Sequence, residues 1–231
     1  MGHADVNNQF IIETVEYLYR NPITRWLINM GHGTCARLSQ FDTRGTMLID
    51  LGCATGAHFR YVKKAGVISL DISREVLVKT KKQMTDAHSF IQADIFKLPF
   101  KDNSVTSILS FTTVEYLSPM EKALMEVHRV LSDKGEFIIA IHTEGFLHKL
   151  GRALTTKQHA KRIMGVDNYE EIYAEIIANK NIGLRSILQL FNSFFVIQKV
   201  VGVPFLIPSI HLNLFLVVRY TKRRHVLPRN T

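Results

Sequence analysis

Three aspartates carry the chemistry most legible in this sequence: Asp50, Asp71 and Asp94. Each closes a short apolar run, around residues 47–49, 67–70 and 89–93. These runs show no helical stripe and suit buried parallel strands. Asp71 stands 21 residues beyond Asp50, the spacing at which an acidic side chain can grip ribose hydroxyls. One carboxylate accepts from two vicinal hydroxyls with good geometry. A single aspartate in such a place reads equally as a helix cap or loop residue. Three at successive strand ends point to one crevice.

Between the first two aspartates runs Asp50-Leu-Gly-Cys-Ala-Thr-Gly56. Gly52 and Gly56 permit a tight turn and close approach of main chain to a ligand. A dinucleotide would require Gly-x-Gly-x-x-Gly, with a helix N-terminus cradling the pyrophosphate. Positions 54 and 57 are alanine here, and Asp50 puts a negative charge where phosphates would lie. A ligand with adenosine at one end and an ammonium and a sulfonium at the other fits these charges better. Glu115 and His142 follow the fourth and fifth apolar runs and so fall at the same edge. Either serves to take a proton from a hydroxyl acceptor, histidine being the better base near neutral pH. Either reads equally as a hydrogen-bonding wall residue. No metal is expected.

The elements that must position these groups alternate. Strands are predicted at Met47–Leu51, Val67–Leu70, Ser89–Ala93, Val105–Phe111 and Glu136–Ile141. Helices are predicted at Thr55–Lys64 and from a Ser73 cap to about Met84. A third opens at Ser118-Pro-Met-Glu121, a capping box with proline at the first helical position. Its apolar face is Met120, Leu124, Val127 and Leu131, and Asp133-Lys-Gly135 turns out of it. The alternation predicts a doubly wound α/β sheet.

Two helices precede this repeat, Gln9–Tyr19 and about Ile23–Met30, with Gly31-His-Gly33 as a loop. They either cover the ligand site or pack on the sheet edge. Residues 145–190 are helical in composition, and Tyr169–Ala178 is one predicted helix there. The first part places Phe146, Leu147, Leu150 and Leu154 among Lys149, Arg152, Lys157, Lys161 and Arg162. That basic amphipathic stretch suits an anionic membrane, a pocket roof or a solvated face. Phe194–Val201 and Leu212–Arg219 are the sixth and seventh predicted strands, followed by a loose basic tail from Lys222. Val200–Val218 is free of charged residues and about long enough to span a bilayer. Pro204 and Pro208 interrupt it, so two buried strands joined by a proline loop are expected.

The chain has 231 residues and a formal net charge of +9, which favours anionic partners. Its two cysteines, Cys35 and Cys53, make no disulfide framework, so a reducing, cytoplasmic setting is expected. Met1–Asn8 lacks the basic-then-apolar pattern of a signal peptide.

The glycine-turn segment resembles the first motif of class I S-adenosylmethionine-dependent methyltransferases. Ile68-Ser-Leu-Asp71-Ile-Ser73 is similar to their second strand end, and residues 93–104 to the segment that reads adenine. Glu126-Val-His-Arg129-Val-Leu-Ser-Asp-Lys-Gly135 resembles the helix and turn before their fifth strand. The matches fall in order over about residues 46–142 and are most similar to the branch holding quinone-biosynthetic and other small-molecule enzymes. The resemblance implies a Rossmann-like seven-stranded sheet, mostly parallel with an antiparallel last strand, plus N-terminal helices and a helical insertion after strand five. It implies S-adenosyl-L-methionine as cofactor. Leu51, Gly52, Cys53, Ala54 and Gly56 would wrap the methionine portion over Asp50. Asp71 and Ile72 would meet the ribose, Asp94 and main chain at Ile95 the adenine, and Phe111 and Thr112 would line the cavity. Ala54 replaces a glycine frequent in the family, and Thr106 stands where many members have aspartate. Glu115-Tyr116 stands where quinone-type members often have a histidine pair.

The expected organisation is one methyltransferase domain. It comprises a helical cap (1–45), cofactor core (46–142), helical lid (143–190), final strands (191–221) and basic tail (222–231). The expected reaction is methyl transfer to oxygen or carbon of a small-molecule or lipid-linked acceptor, with peripheral contact to anionic membrane. The alternatives are an RNA methyltransferase and a cofactor-binding protein without turnover. No RNA-binding module or base-flipping motif is visible, and the oligomeric state stays open.

Overall fold

Asn21 opens helix α1 (Pro22–Leu38): its side chain accepts from the amides of Ile23 and Thr24, while Pro22 needs no donor at that position. The computed structural model describes residues 18–39, 48–54, 56, 61, 66–82, 89–154 and 183–224. Helix α1 runs straight through Gly31-His32-Gly33, where the sequence predicts a loop. The glycine serves packing instead. A Cβ on Gly31 would lie 2.7 Å from the Phe111 ring, so its absence lets the helix lie close on the sheet.

Seven strands form one sheet: β1 (Leu48–Leu51), β2 (Val67–Asp71), β3 (Ser89–Gln92), β4 (Val105–Phe111), β5 (Leu131–His142), β6 (Phe195–Val203) and β7 (Phe215–Lys222). Their spatial order is β3-β2-β1-β4-β5-β7-β6. Strands β1 to β5 pair in parallel, and β7 runs antiparallel to both β5 and β6. The order reverses between β1 and β4, which opens a crevice at the carboxyl ends of those strands.

Successive residues along the central strands face opposite layers. One layer packs Ile108, Phe137 and Ile139 against α3 (Met120–Val130) and α5 (Leu184–Phe194), through Leu124, Val127, Ile187 and Phe191. The other packs Leu109, Ile138 and Val217 against Cys35 and Leu38 of α1. Polar bonds fix the far end of α1: the Ser39 hydroxyl donates to Glu136 at 2.6 Å. Helix α1 therefore lies along the sheet with its N-terminal half towards the crevice edge.

Ser73 caps α2 (Arg74–Lys81) by accepting from the Val76 amide, as predicted. The capping box at Ser118 does not form. Pro119 is the N-cap of α3, one residue later than expected, and makes no side-chain cap bond. The buried face Met120, Ala123, Leu124, Val127, Val130 holds that helix without it. Leu131 begins β5 rather than ending the helix face. Residues 132–135, which include the predicted turn Asp133-Lys-Gly135, are absorbed where the β4–β5 register shifts between Val105 and Ser107.

Val200–Val218 does form two strands joined by a proline loop. Among the described residues no helix is long and apolar enough to cross a membrane. The predicted helix at Thr55–Lys64, most of that at Gln9–Tyr19, the one at Tyr169–Ala178 and most of the basic tail lie outside the described residues. Helix α4 (Phe146–Leu154) starts the expected helical segment after β5.

Candidate active site

The three aspartates come together because β3, β2 and β1 are neighbours. Asp50 lies inside β1 and is buried, Asp71 is the last residue of β2, and exposed Asp94 stands two residues past β3. Asp71 is held from two sides. Its carboxylate accepts from the Ser73 amide at 2.9 Å and the Ala54 amide at 3.3 Å. A carboxylate has about four lone-pair positions, so two backbone donors orient it and leave capacity for further hydroxyls. Burial raises its pKa above the ordinary 3.8, opposed by those amides, with the Asp50 charge adding to the rise. Asp94 accepts from the Phe96 amide at 2.9 Å, and neighbouring Ile95 is buried.

The glycine turn packs over these carboxylates. Gly52 and Gly56 have φ of +69° and +67°, the left-handed region that glycine enters without penalty. The amides of Gly52 and Cys53 both donate to the Leu70 carbonyl, at 2.8 and 3.0 Å, tying the turn to β2 beside buried Leu51. Ala54 adopts φ +41° with a side chain that disfavours it. Burial, reinforced by Asp50, pushes the Cys53 thiol pKa up and keeps it protonated.

Two threonines absent from the sequence-based site hold this turn. Thr80 of α2 donates to the Ala54 carbonyl at 2.5 Å, and Thr113 donates to the Gly52 carbonyl at 3.3 Å. The Thr113 side chain also fills the space that a Cβ on Gly52 would enter. Only the fold brings these residues to the turn, so no local sequence signal marks them. Gln92 does the same for Ile72: its side-chain amide donates to the Ile72 carbonyl at 3.1 Å and leaves that exposed side chain beside Asp71.

At the other side of the crevice, Phe111 ends β4 between two rings. His32 of α1 stacks on it with centroids 4.0 Å apart, and Phe215 lies tilted at 5.0 Å. Tyr19 in turn places its hydroxyl 3.0 Å from His32 Nε2. Thr112 takes φ +50° and Glu144 φ +57°; with Ala54 across the crevice, three non-glycine residues with left-handed backbone follow the ends of β1, β4 and β5, as strained residues do at functional sites.

Glu115 and His142 meet directly. Glu115, in a short 3-10 turn at Val114–Tyr116, is buried, and one of its carboxylate oxygens lies 2.6 Å from His142 Nδ1. The His142 backbone amide donates to both oxygens at 3.3–3.4 Å. A carboxylate only accepts, so Nδ1 carries the proton and Nε2 holds the lone pair of the neutral ring. His142 is also flanked by the rings of Phe215 at 5.1 Å and His148 at 5.0 Å.

The donor set fits a sulfonium nucleoside. Carboxylates at three adjacent strand ends complement hydroxyl, amino and cationic groups.

Residues 49–139 match a family model described as a methyltransferase domain. That segment runs from β1 into β5 and includes the glycine turn and all three aspartates. The chain is 28% identical over 136 residues to a malonyl-[acyl-carrier protein] O-methyltransferase of Hamiltonella defensa, covering 57% of this chain and 52% of that protein. It is 32% identical over 111 residues to the protein of that name from Pectobacterium atrosepticum, covering 47% and 44%. The chain thus spans about half the length of the curated relatives it matches. Among solved structures, the fold resembles an S-adenosylmethionine-dependent methyltransferase from Mesorhizobium loti, with a TM-score of 0.57 at 20% identity over 82% of this chain and 96% of that one. It also resembles the N-methyltransferase NodS of Bradyrhizobium japonicum, with a TM-score of 0.59 at 12% identity over 89% and 99%.

Proposed function

We propose that this protein transfers a methyl group from S-adenosyl-L-methionine to an oxygen of a small acyl acceptor, presented on a carrier or lipid. The observation that carries the reading is the alignment of Asp50, Asp71 and Asp94 at the ends of three adjacent strands beside the Gly52–Gly56 turn. Asp71, with Ile72, would hold the ribose; Asp94 and the Ile95 main chain would take the adenine. Leu51, Gly52, Cys53, Ala54 and Gly56 would surround the methionine portion above the buried charge of Asp50. Phe111 and Thr112 would close the cavity, with His32 bracing the Phe111 ring.

The bound cofactor supplies an electrophilic methyl carbon on a positive sulfur. The residues of the chain supply position and proton control, and positioning is a major source of acceleration in such displacements. With a hydroxyl acceptor, His142 Nε2 takes the hydroxyl proton as the oxygen–methyl bond forms, and Glu115 stabilises the resulting imidazolium through Nδ1. With a carboxylate acceptor no proton need be removed, and protonated His142 holds the acceptor by donating from Nε2. The name that the relatives carry, malonyl-[acyl-carrier protein] O-methyltransferase, supports trying a carboxylate acceptor first.

Residues 143–190 would form a lid over this edge, within a single domain, and the acceptor class is compatible with contact at an anionic membrane. Calorimetry with S-adenosylmethionine, S-adenosylhomocysteine and NAD tests the cofactor. Binding of the first two without the third is expected, and NAD binding alone would sink the reading. Transfer of labelled methyl to malonyl-carrier protein, free fatty acids and phenolic quinone precursors then ranks the acceptors.

A further inference from the structure

The loop between β6 and β7 is built like a finger. It contains Pro204-Phe-Leu-Ile-Pro-Ser-Ile-His-Leu212, with no acidic or basic side chain except the histidine. Phe205, Leu206, Ile207, Ile210 and Leu212 are all exposed, Ile207 by 64% and Phe205 by 58%. Scattered exposed apolar residues are ordinary, but five within eight positions form a patch of the kind that marks an interaction site.

The finger is held in shape from inside. Asn213 is fully buried: its carbonyl oxygen accepts from the Phe205 amide at 3.0 Å, and its amide donates to the carbonyls of Ile207 and Ser209 at 2.7 and 2.8 Å. A second brace comes from α4, where the Leu147 amide donates to the His211 carbonyl at 3.1 Å. Gly145 packs so closely on the Ile210 carbonyl that no Cβ fits between them. A chain that spends a buried amide and a close backbone contact on presenting apolar side chains to the outside presents them to something.

Its place and surroundings identify the partner. The finger leaves the carboxyl end of β6 and re-enters at Phe215, which pairs with His142 across the β5–β7 ladder. It therefore stands on the rim of the candidate active site. Phe146 and Leu150, also exposed, extend the apolar surface onto α4, and exposed Lys149 lies between them. At the crevice end of α1, exposed Ile23 and Trp26 flank exposed Arg25. Trp26 precedes Gly31 by five residues, about 7–8 Å along the helix, and Gly31 already touches Phe111 at the strand ends. Glu144, half-buried, is the nearest acid in sequence to α4.

We propose that the 204–212 finger, with Phe146 of α4 and Trp26 of α1, inserts into an anionic lipid bilayer and sets the active-site mouth against the membrane surface. Apolar tips enter the headgroup–acyl boundary, while Arg25 and Lys149 meet anionic headgroups, the arrangement of interfacial proteins. The inference rests on the proposed methyl transfer only for what the membrane delivers; the docking itself is independent of turnover.

Flotation of the full chain with vesicles tests it, using phosphatidylcholine alone and phosphatidylcholine mixed with phosphatidylglycerol. Binding to the mixed vesicles is expected, falling steeply with salt. Phe205→Ser with Ile207→Ser should weaken it about tenfold per side chain. Arg25→Glu with Lys149→Glu should weaken mixed-vesicle binding by at least fivefold. S-adenosylhomocysteine affinity should be unchanged in both double variants, which verifies folding. The proposal is overturned if the chain floats with neither vesicle, floats equally with both, or floats undiminished after the double serine change. A dimer that those serines dissociate, without flotation, would also overturn it and assign the finger to self-association. Loss of S-adenosylhomocysteine binding in the unaltered chain would instead refute the cofactor reading and leave docking standing.

Discussion

Buried Glu115 and half-buried His142, 27 residues apart, form a carboxylate–imidazole pair at 2.6 Å, with His142 Nδ1 committed to Glu115 and Nε2 left as the basic nitrogen. The pair joins the turn after β4 to the end of β5. Glu115→Gln removes the charge but preserves the shape. With a hydroxyl acceptor, kcat should fall by about 10²-fold or more while S-adenosylhomocysteine affinity holds. With a carboxylate acceptor, the loss should appear chiefly in KM. Steady-state kinetics distinguish the two, and unchanged kinetics would reduce the pair to a structural wall.

Asp71 offers a pH test of cofactor binding. Burial raises its pKa above 3.8, so it takes up a proton at a higher pH than a free aspartate. The ionised form accepts the stronger, charge-assisted bonds from ribose hydroxyls. Affinity should be flat near neutrality and decline on acidification before the ordinary carboxylate range is reached. Asp71→Ala should lose most of the affinity throughout. Calorimetry at several pH values checks both, and undiminished affinity in the alanine variant would remove Asp71 from the site.

Ala54 sits at φ +41°, where glycine costs less than alanine. Ala54→Gly should stabilise the fold by about 0.5–1 kcal/mol, or roughly 1–3 °C in Tm. A fall in Tm on thermal melting would mean that the alanine methyl makes a packing contribution larger than the strain.

Arg129 is the staple of the connector before β4. Its guanidinium donates to Glu126, Asp102 and the carbonyls of Leu98 and Phe100, and Glu126 also accepts from the Leu98 amide. Arg129→Met should destabilise the protein by about 2 kcal/mol, since Glu126 loses its charged partner and the Phe100 carbonyl its guanidinium donor, while Leu98 keeps only the Phe100 amide. Arg129→Lys should recover only part of this, because lysine lacks the planar fork. Chemical denaturation measures the difference.

His128 governs an acid limb of stability. Its Nε2 lies 2.8 Å from the Arg223 carbonyl, so that nitrogen donates, and burial depresses its pKa below 6.5. A depressed folded value means that its contribution is present above the unfolded pKa and is lost as pH falls through the folded one. His128→Gln should flatten the decline of Tm below about pH 6.5. An identical acid limb in the variant would assign the decline to other groups.

The alternation of strands and helices, the Ser73 cap and the order of the three aspartates were legible because they are local. Strand periodicity needs neighbours two residues away, and a cap needs partners three away. The glycine turn was equally legible, since φ above zero selects for glycine at Gly52 and Gly56 whatever surrounds it. What failed were local signals overridden by packing. Gly31-His32-Gly33 has loop composition, yet contact with Phe111 and Phe215 makes Gly31 the close face of a helix. Ser118 and Glu121 have the spacing of a capping box, yet burial of Met120 and Leu124 starts the helix one residue later.

By itself, then, the sequence determined the α/β repeat, the left-handed turn and an acidic edge at the strand ends, because each depends on residue types within one or two turns of chain. Tertiary structure alone decided that Glu115 reaches His142, that Thr80 and Thr113 brace the turn, and that Asn213 holds an apolar finger beside the mouth. Those relationships join residues on separate strands and helices. Sheet order places them within bonding distance, and no spacing along the chain encodes it.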